Sequence, residues 1–226
     1  MIESESGSVL LLNKPIEWTS FDVVNKLRHI LKIKKIGHAG TLDPLATGLL
    51  IICTGKMTKR IDEFQGLEKE YTGTLVLGQT TPSYDLETEP SSPSDVSHLT
   101  DEKILNGVSS FIGKILQTPP IHSAIKVGGK RAYSFARKGQ EVVLAPRAVE
   151  ISAFEITHID KPTVSFRVVC SKGTYIRSLA NDYGQALGVG AYLSELCRTR
   201  IGPHMLNEAM TLDEVKNKFA GLSNTV

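Results

Sequence analysis

The feature that most constrains this chain is the segment of residues 35–53, KIGHAGTLDPLATGLLIIC, in which a turn-forming stretch runs directly into an apolar run. The run Leu49–Cys53 is the longest purely apolar stretch, far short of the roughly 20 residues that a membrane-spanning helix needs. A short apolar run bounded by turn signals is typical of a buried strand. The sequence therefore predicts a folded chain in which the loop carrying Asp43 leads into a core strand.

Asp43 precedes Pro44, which disfavours the α-helical region for the Asp43 backbone. Gly40 and Gly48 bracket the loop, and glycine tolerates backbone conformations that other residues avoid. This pattern can hold one carboxylate rigidly at the edge of a sheet, where the loop enters a strand. The alternative is that Asp43 is merely an N-cap, with Pro44 as the first residue of a short turn. Spacing alone leaves both readings open.

Composition indicates an ordinary globular protein of 226 residues, with 41% apolar and 22% charged side chains. Its length predicts one domain. Residues 1–8, MIESESGS, are acidic and polar, so we expect a flexible tail rather than a secretory signal, and a cytoplasmic protein with no membrane association. Cys53, Cys170 and Cys197 form no CxxC pair, which argues against a disulfide framework and a zinc site.

Hydrophobic periodicity predicts an irregular alternation of strands and helices, and hence an α+β fold around a mixed, mostly antiparallel sheet. We expect strands at residues 9–13, 49–53, 71–77, 148–158, 163–170 and 191–201. We expect helices after a Thr19 cap, at 56–64, at 101–112, at 174–187 and after Thr211. Residues 32–40 are predicted to be a basic loop, and residues 79–98 a long surface loop rich in Pro, Ser and acid.

The net charge is only +2, but basic side chains cluster. Three clusters stand out: residues 32–38, residues 56–60 and residues 126–138. If they converge on one face, they would form the positive surface of a nucleic-acid binder. The alternative is that each run is simply a solvated face.

Six blocks resemble, in order, those of the bacterial TruB-type tRNA pseudouridine synthases, which isomerise the T-loop uridine at tRNA position 55. They are LLLNKPIEWTSFDVVNKLR, KKIGHAGTLDPLATGLLIICTGKMTK, KEYTGTLVLG, PPIHSAIKVGGKRAYSFARKG, VVCSKGTYIRSLANDYG and GAYLSELCRTRIG. The resemblance implies the pseudouridine synthase fold, with helices flanking the sheet. It implies one catalytic domain over residues 9–226, a basic thumb arm at about 119–146 and no C-terminal PUA domain. The sequence departs from the family pattern at two places. After the LG strand the family's usual acidic pattern is altered to TTPSYDLET, where only Asp85 keeps a carboxylate of that pattern, and Cys197 stands where an arginine is common.

The resemblance implies that Asp43 is the catalytic carboxylate of an isomerase. The reaction breaks the N1–C1′ glycosidic bond and rejoins the uracil through C5. Asp43 would act as a nucleophile or assist a glycal route, and the sequence does not choose between them. Neither route requires a metal or an organic cofactor, so we expect none.

The family match also gives expected roles to other residues. Arg177 is expected to pair with Asp43, and the alternative is a surface arginine in the first turn of a helix. Tyr71 is expected to lie against the target base and to remove a proton, although a strand tyrosine is often merely half-buried. The remaining pocket residues implied by the match are His38, Tyr175, Leu196 and Lys14. The alternatives are a solvent-facing histidine, ordinary core residues for Tyr175 and Leu196, and packing and phosphate contact for Lys14.

The expected partner is tRNA, bound through its T-arm by a monomer with no obligatory protein partner. The T-loop hides its uridine, so the enzyme must flip that nucleotide out. The thumb is expected to close over the RNA through its basic side chains, which are Lys126, Lys130, Arg131, Arg137 and Lys138.

Two other function classes compete with this reading. A non-catalytic RNA-binding or RNA-folding module on the same fold would keep the basic surface while losing Asp43, Arg177 or Tyr71, and all three are present. A glycoside hydrolase would need a second, correctly placed acid, and the matched blocks offer none.

Overall fold

The computed structural model describes residues 6–123, 125–127, 130–131, 140 and 143–220. The chain divides into two compact units. The first unit comprises Met1–Tyr71 and Leu196–Val226, and the second comprises Thr72–Glu195. The predicted α+β class is confirmed, since each unit combines helices with strands. Among the strand pairings that the structure describes, most are antiparallel, and that of Leu196–Arg198 with Ala46–Gly48 is parallel.

The first unit is built around strand β3, which lies between β1 and the second half of β10. β1 is antiparallel to β3, whereas β10 is parallel to it, with Leu196 opposite Ala46 and Arg198 opposite Gly48. Strand β2 pairs with β3 and β11 pairs with β10. The strands of this unit are β1 (Val9–Lys14), β2 (Ile36–Ala39), β3 (Ala46–Thr54), β10 (Ala191–Ile201) and β11 (His204–Met205).

Both faces of β3 are covered, which explains why its sequence is continuously apolar. Leu50 and Ile52 belong to a core cluster that packs against helices α1 (Ser20–Leu31) and α5 (Leu212–Ala220). Leu49, Ile51 and Cys53 belong to a second cluster, against which residues of a 3₁₀ helix and of α2 pack. The 3₁₀ helix is Gly55–Arg60 and α2 is Ile61–Gly66.

In the second unit, the first half of β10 lies beside β4, and β9, β8 and β5 follow in that order. Helix α4 packs against α3, and Tyr183 of α4 makes an edge contact with Phe154 of β8 at a ring-centroid distance of 5.5 Å. The elements are β4 (Lys69–Leu77), α3 (Asp101–Gly107), a 3₁₀ helix (Val108–Phe111), β5 (Gly113–Gln117), β6 (Lys126–Val127), β7 (Lys130–Arg131), β8 (Arg147–Asp160), β9 (Thr163–Cys170) and α4 (Ile176–Leu187).

Most predicted elements are confirmed, including the Thr19–Asp22 capping box of α1. The prediction of a basic loop at 32–40 is only partly confirmed, because Ile36–Ala39 pairs with β3 as strand β2. Strand β5 was not predicted, and the loop at 79–98 buries Thr81, Ser83 and Asp85 instead of lying wholly on the surface. The predicted flexible tail does not reach Ser8, whose N–H donates to Thr54 Oγ1 at 2.9 Å, while residues 1–5 lie outside the described residues. None of the helices in the described part of the chain is long and apolar enough to cross a membrane.

Candidate active site

Asp43 lies in a turn that leads into β3. The Ala46 N–H donates to the Asp43 carbonyl at 3.1 Å, and Pro44–Leu45 forms the corner, so the chain continues as a strand. Pro44 is thus the first residue of a short turn, as the alternative interpretation expects, and this turn leads into a strand. The preceding residue is anchored to α1, because the Leu42 N–H donates to Ser20 Oγ at 2.9 Å and Ser20 Oγ donates back to the Leu42 carbonyl at 3.2 Å. The Asp43 side chain itself is half-buried.

Lys14, the last residue of β1, is fully buried beneath this turn. Its ammonium donates to the carbonyls of Pro15 at 2.8 Å, Trp18 at 2.6 Å and Pro44 at 3.2 Å. Burial lowers the pKa of Lys14 to about 8, and the Asp43 carboxylate opposes this by attracting the charged form. The amine thus holds the Asp43–Pro44 turn and places a positive charge near the carboxylate.

Arg198 of β10 is a second buried cation in the first unit, only 1% exposed. Its Nε donates to the Leu49 carbonyl at 2.7 Å. Its Nη1 and Nη2 donate to the carbonyls of Thr41 at 3.4 Å and Gly40 at 3.3 Å. One guanidinium therefore binds the backbone on both sides of Asp43.

His38 lies on β2, opposite Ile52 of β3. Its Nδ1 is buried and has no hydrogen-bond partner in the described part of the chain, so the ring is not the solvent-facing side chain of the alternative interpretation. Burial lowers the pKa of His38, the Gly40 backbone opposes this shift, and the positive charge of Arg198 lowers it further. The ring therefore favours the neutral form near pH 7.

Two other predicted pocket residues also belong to the first unit. Tyr71 on β4 is buried, with 8% of its surface exposed. Leu196 on β10 is half-buried and lies opposite Ala46, the residue that closes the Asp43 turn. The parallel pairing of β10 with β3 thus brings Leu196 to the strand that begins beside Asp43.

Arg177 is in the first turn of α4 in the second unit and is 3% exposed, so the alternative of a surface arginine is wrong. Its Nη1 lies 3.4 Å from Asp85 Oδ2 and donates to the Ser83 carbonyl at 3.2 Å. Its Nη2 donates to the His122 carbonyl at 2.9 Å. Asp85, which lies in the segment after β4, therefore fixes this guanidinium.

Tyr175 precedes α4 and is half-buried. Gln117 of β5 holds its backbone, accepting from the Tyr175 N–H at 2.8 Å and donating to the Tyr175 carbonyl at 3.1 Å. The buried Gln117 thus fixes the segment that carries both Tyr175 and Arg177.

Two of the three basic clusters meet in the first unit. The Gly55 N–H donates to the Lys35 carbonyl at 2.9 Å, which joins the end of the 32–35 segment to the 3₁₀ helix that carries Lys56 and Lys59. We call the exposed lysines of this region the basic patch: Lys32, Lys34, Lys35, Lys56 and Lys59. In the predicted thumb, Lys126 is paired with Arg131 and Val127 with Lys130 as two short strands, but their side chains, and all of Arg137 and Lys138, lie outside the described residues.

Sequence reasoning did not identify Arg198, and it mentioned Asp85 only as a retained carboxylate. An arginine in an alternating strand resembles any surface residue, and only the loop carbonyls around it reveal its position. Among the described residues, no group of three or more His, Cys, Asp or Glu side chains is placed to hold a metal ion.

Comparison with known proteins supplies the family. The model of the TruB family pseudouridylate synthase (N terminal domain) matches residues 28–176, and that of the tRNA pseudouridylate synthase B C-terminal domain matches residues 177–224. A tRNA pseudouridine synthase B of Parabacteroides distasonis is 54% identical over 93% of this chain and 92% of its own length. One of Flavobacterium johnsoniae is 53% identical over 91% of this chain and 93% of its own length.

A solved structure of a Cbf5-Nop10-Gar1 complex contains a chain with the same fold, with a TM-score of 0.76 and 32% identity over 96% of this chain and 55% of that chain. A structure of an H/ACA RNP bound to a substrate RNA containing 2′-deoxyuridine gives a TM-score of 0.72 and 30% identity over 96% of this chain and 56% of that chain. The fold, the turn that presents Asp43 and the matches along nearly the whole length agree: the chain belongs to the TruB family of pseudouridylate synthases.

Proposed function

We propose that this chain isomerises uridine to pseudouridine in tRNA, at position 55 of the T-loop, with Asp43 as the catalytic carboxylate. The observation that carries the proposal is the half-exposed Asp43 side chain on a turn fixed by Ser20 and Lys14, in a member of the TruB family. Relatives named tRNA pseudouridine synthase B share about half of its residues over nearly their whole length. The substrate class follows from those names and the position from the resemblance of the motifs.

The chemistry requires little beyond one ionised carboxylate. The N1–C1′ bond breaks, the C5–C1′ bond forms, the C5 proton leaves to solvent and N1 gains a proton, so nothing is oxidised or reduced. Asp43 would attack C1′ as a nucleophile, or would assist loss of the C2′ proton on a glycal route. The charged form of Lys14 near Asp43 favours the anionic carboxylate that either route needs.

Arg177 is proposed as the cation that pairs with Asp43 during catalysis. Its support is that the guanidinium is already buried and oriented by Asp85 and by two backbone carbonyls. A planar guanidinium fixed in this way can give two parallel hydrogen bonds to a carboxylate without reorganising. Asp85 would then act through Arg177 as a positioning residue.

The other site residues are proposed to handle the extruded nucleotide. Tyr71 would lie against the uracil and take part in proton removal, and Tyr175 and Leu196 would contact the base. His38, neutral and partly buried, would occupy the stack near the flipped uridine. For Lys14, burial and three carbonyl acceptors favour holding the turn over touching a phosphate.

The basic thumb side chains are proposed to close over the T-arm, with the basic patch adding phosphate contacts. The protein is proposed to act in the cytoplasm, as a monomer without an obligatory protein partner. Lysine and arginine side chains bind RNA chiefly through its phosphates, which supports a binding role for both groups of cations.

Replacing Asp43 by Asn tests the catalytic assignment. The amide keeps the shape and removes the charge, so Asp43→Asn should abolish pseudouridine formation while tRNA binding stays within about tenfold of wild type. The measurement is release of tritium from a tRNA transcript labelled at uridine C5, with binding followed separately. Asp62→Asn, an exposed acid of α2, is the matched control and should keep full activity.

Two results would count against the proposal. Turnover by Asp43→Asn, once deamidation has been excluded by mass spectrometry, would show that another group performs the chemistry. A wild-type protein that binds tRNA tightly but releases no tritium would favour the non-catalytic RNA-binding module.

A further inference from the structure

We infer that Arg198 is a positioning residue for Asp43: its guanidinium binds the carbonyls of Gly40, Thr41 and Leu49, and thereby holds the turn that presents the carboxylate. The inference rests on the proposed function of Asp43. It concerns a residue that lies on β10, more than 150 positions from Asp43 in the chain.

Residues 40–45 connect β2 to β3, and the Asp43 side chain projects from this connection. Arg198 binds the connection where it leaves β2, at Gly40 and Thr41, and binds β3 just after the turn, at Leu49. A connection fixed at both ends by one rigid, planar group cannot widen or slide without breaking hydrogen bonds.

The buried charge of Arg198 needs compensation. Taking a cation out of water costs several kcal/mol unless hydrogen bonds compensate for the lost hydration. Arg198 is 1% exposed, and its donors point to carbonyls of the Asp43 connection and of β3. An apolar side chain would fill the same space without that cost but would leave three carbonyls without this donor. The charge therefore acts on the backbone around Asp43.

The Arg198 backbone is itself fixed against β3. Arg198 pairs with Gly48 in the parallel ladder, and a Cβ built on Gly48 would lie 2.4 Å from the Arg198 carbonyl oxygen. The close approach of these backbones sets the point from which the side chain extends. The guanidinium is thus held at its base by the sheet and at its tip by the connection.

The test compares Arg198→Met, Arg198→Lys and the control Arg200→Met. Methionine removes all donors, whereas lysine keeps the charge but not the planar fork that reaches three carbonyls. Arg200 lies on the same strand, is partly exposed and pairs with Glu68 at 2.8 Å, so it controls for loss of a cation from β10. Each protein is assayed under single-turnover conditions with saturating enzyme, after the folded fraction has been measured by circular dichroism.

We expect Arg198→Met to lower the catalytic rate per folded molecule by at least about 100-fold, as misplacing a reactive group by about 1 Å can do. The rate of Arg198→Lys should lie between those of Arg198→Met and wild type, at least about tenfold below wild type. The rate of Arg200→Met should equal that of wild type. The Kd for tRNA should stay within about threefold in all three, because the residue acts on the carboxylate and not on RNA binding.

A second readout does not depend on activity. Amide hydrogen exchange at Leu42 and Ala46 reports whether the connection is held, because their N–H groups donate to Ser20 Oγ and to the Asp43 carbonyl. Protection of both amides should fall at least about tenfold in Arg198→Lys, while protection of the β1–β3 ladder should not change. The exchange measurement can be made even if the wild-type protein proves not to make pseudouridine. It therefore tests the role of Arg198 separately from the proposed function of Asp43.

The inference is overturned if Arg198→Lys retains the wild-type rate and the wild-type protection of Leu42 and Ala46. It is also overturned if the Arg198 variants weaken tRNA binding as much as they lower the rate, since Arg198 would then serve RNA binding. Should Arg198→Met fail to fold, the lysine variant alone decides.

Discussion

Gly48 shows how tightly a single residue can be constrained near the Asp43 turn. It lies inside β3 with a φ of 100°, a conformation that residues with a Cβ rarely adopt. Any Cβ there would also lie 2.7 Å from the Arg198 nitrogen, well inside van der Waals contact. The position therefore demands glycine for two reasons, the backbone conformation and the neighbouring strand.

Replacing Gly48 by alanine should lower the free energy of unfolding by about 2–4 kcal/mol, because strain and a backbone clash add. Urea unfolding followed by circular dichroism measures this. Gly66→Ala is the control, because a Cβ added at Gly66 has no heavy atom within 4 Å. The free energy of unfolding of this variant should equal that of wild type or be slightly higher. Equal stability of both variants would show that β10 can move away from β3 without cost.

The buried Lys14 predicts a pH dependence of stability. Its pKa is about 8 in the folded protein and near 10.5 when exposed, because burial outweighs the attraction of Asp43 and Asp22, while Arg198 adds to the lowering. Between these values the unfolded chain binds the additional proton, so this group makes the free energy of unfolding rise with pH. Below about pH 8 both states are protonated, and the contribution is flat.

The measurement is the difference in unfolding free energy between wild type and Lys14→Met at several values from pH 7 to pH 10.5. The difference should increase with pH across this window, by an amount on the order of a few kcal/mol. Other groups that titrate in the same range cancel in the subtraction. A flat difference would mean that the Lys14 amine keeps an ordinary pKa in the folded protein.

At the scale of elements, sequence reasoning located most helices and strands because their signals are local. The capping box at Thr19 and the LLIIC run need no knowledge of the rest of the chain. Strand β2 was missed because its four residues, IGHA, carry no alternating pattern and form a strand only through pairing with β3. Arg198 was missed for the same physical reason, since its acceptors are about 150 residues away along the chain.

The basic patch consists of lysines from the segment before β2 and from the 3₁₀ helix after β3. It predicts a specific salt dependence of RNA binding. The triple variant Lys34→Ala, Lys35→Ala, Lys56→Ala should bind tRNA with a shallower plot of log affinity against log salt. The slope should change by about 2, because each phosphate contact contributes about 0.7 to 0.9. The rate at saturating enzyme should be unchanged, because the lysines act only on binding.

The control for this experiment is Lys216→Ala with Lys218→Ala, two exposed lysines of α5 in the same unit. It removes positive charge without touching the basic patch, so a general electrostatic effect would appear in both proteins. An unchanged slope in the triple variant would place the basic patch outside the RNA contact.

At the scale of the whole molecule, the proposed reaction predicts indifference to metal chelators. Isomerisation moves one bond and one proton within a nucleoside, and a carboxylate with a fixed guanidinium supplies the charges involved. After extensive dialysis against EDTA, the activity should stay within about twofold of that of the undialysed protein, provided that a monovalent salt keeps the tRNA folded. Loss of activity that one particular divalent ion restores, with the RNA fold verified, would contradict this expectation.

The first unit is discontinuous, since residues 1–71 need residues 196–226 to complete it. During synthesis, β1, β2 and β3 therefore leave the ribosome long before β10 arrives to cover β3 and to bring Arg198. Contacts between segments so far apart form late, because their loop must close first. The growing polypeptide consequently carries Asp43 through the synthesis of the long segment before β10 without the strand that holds the turn, and the turn is complete only after β10 has been made.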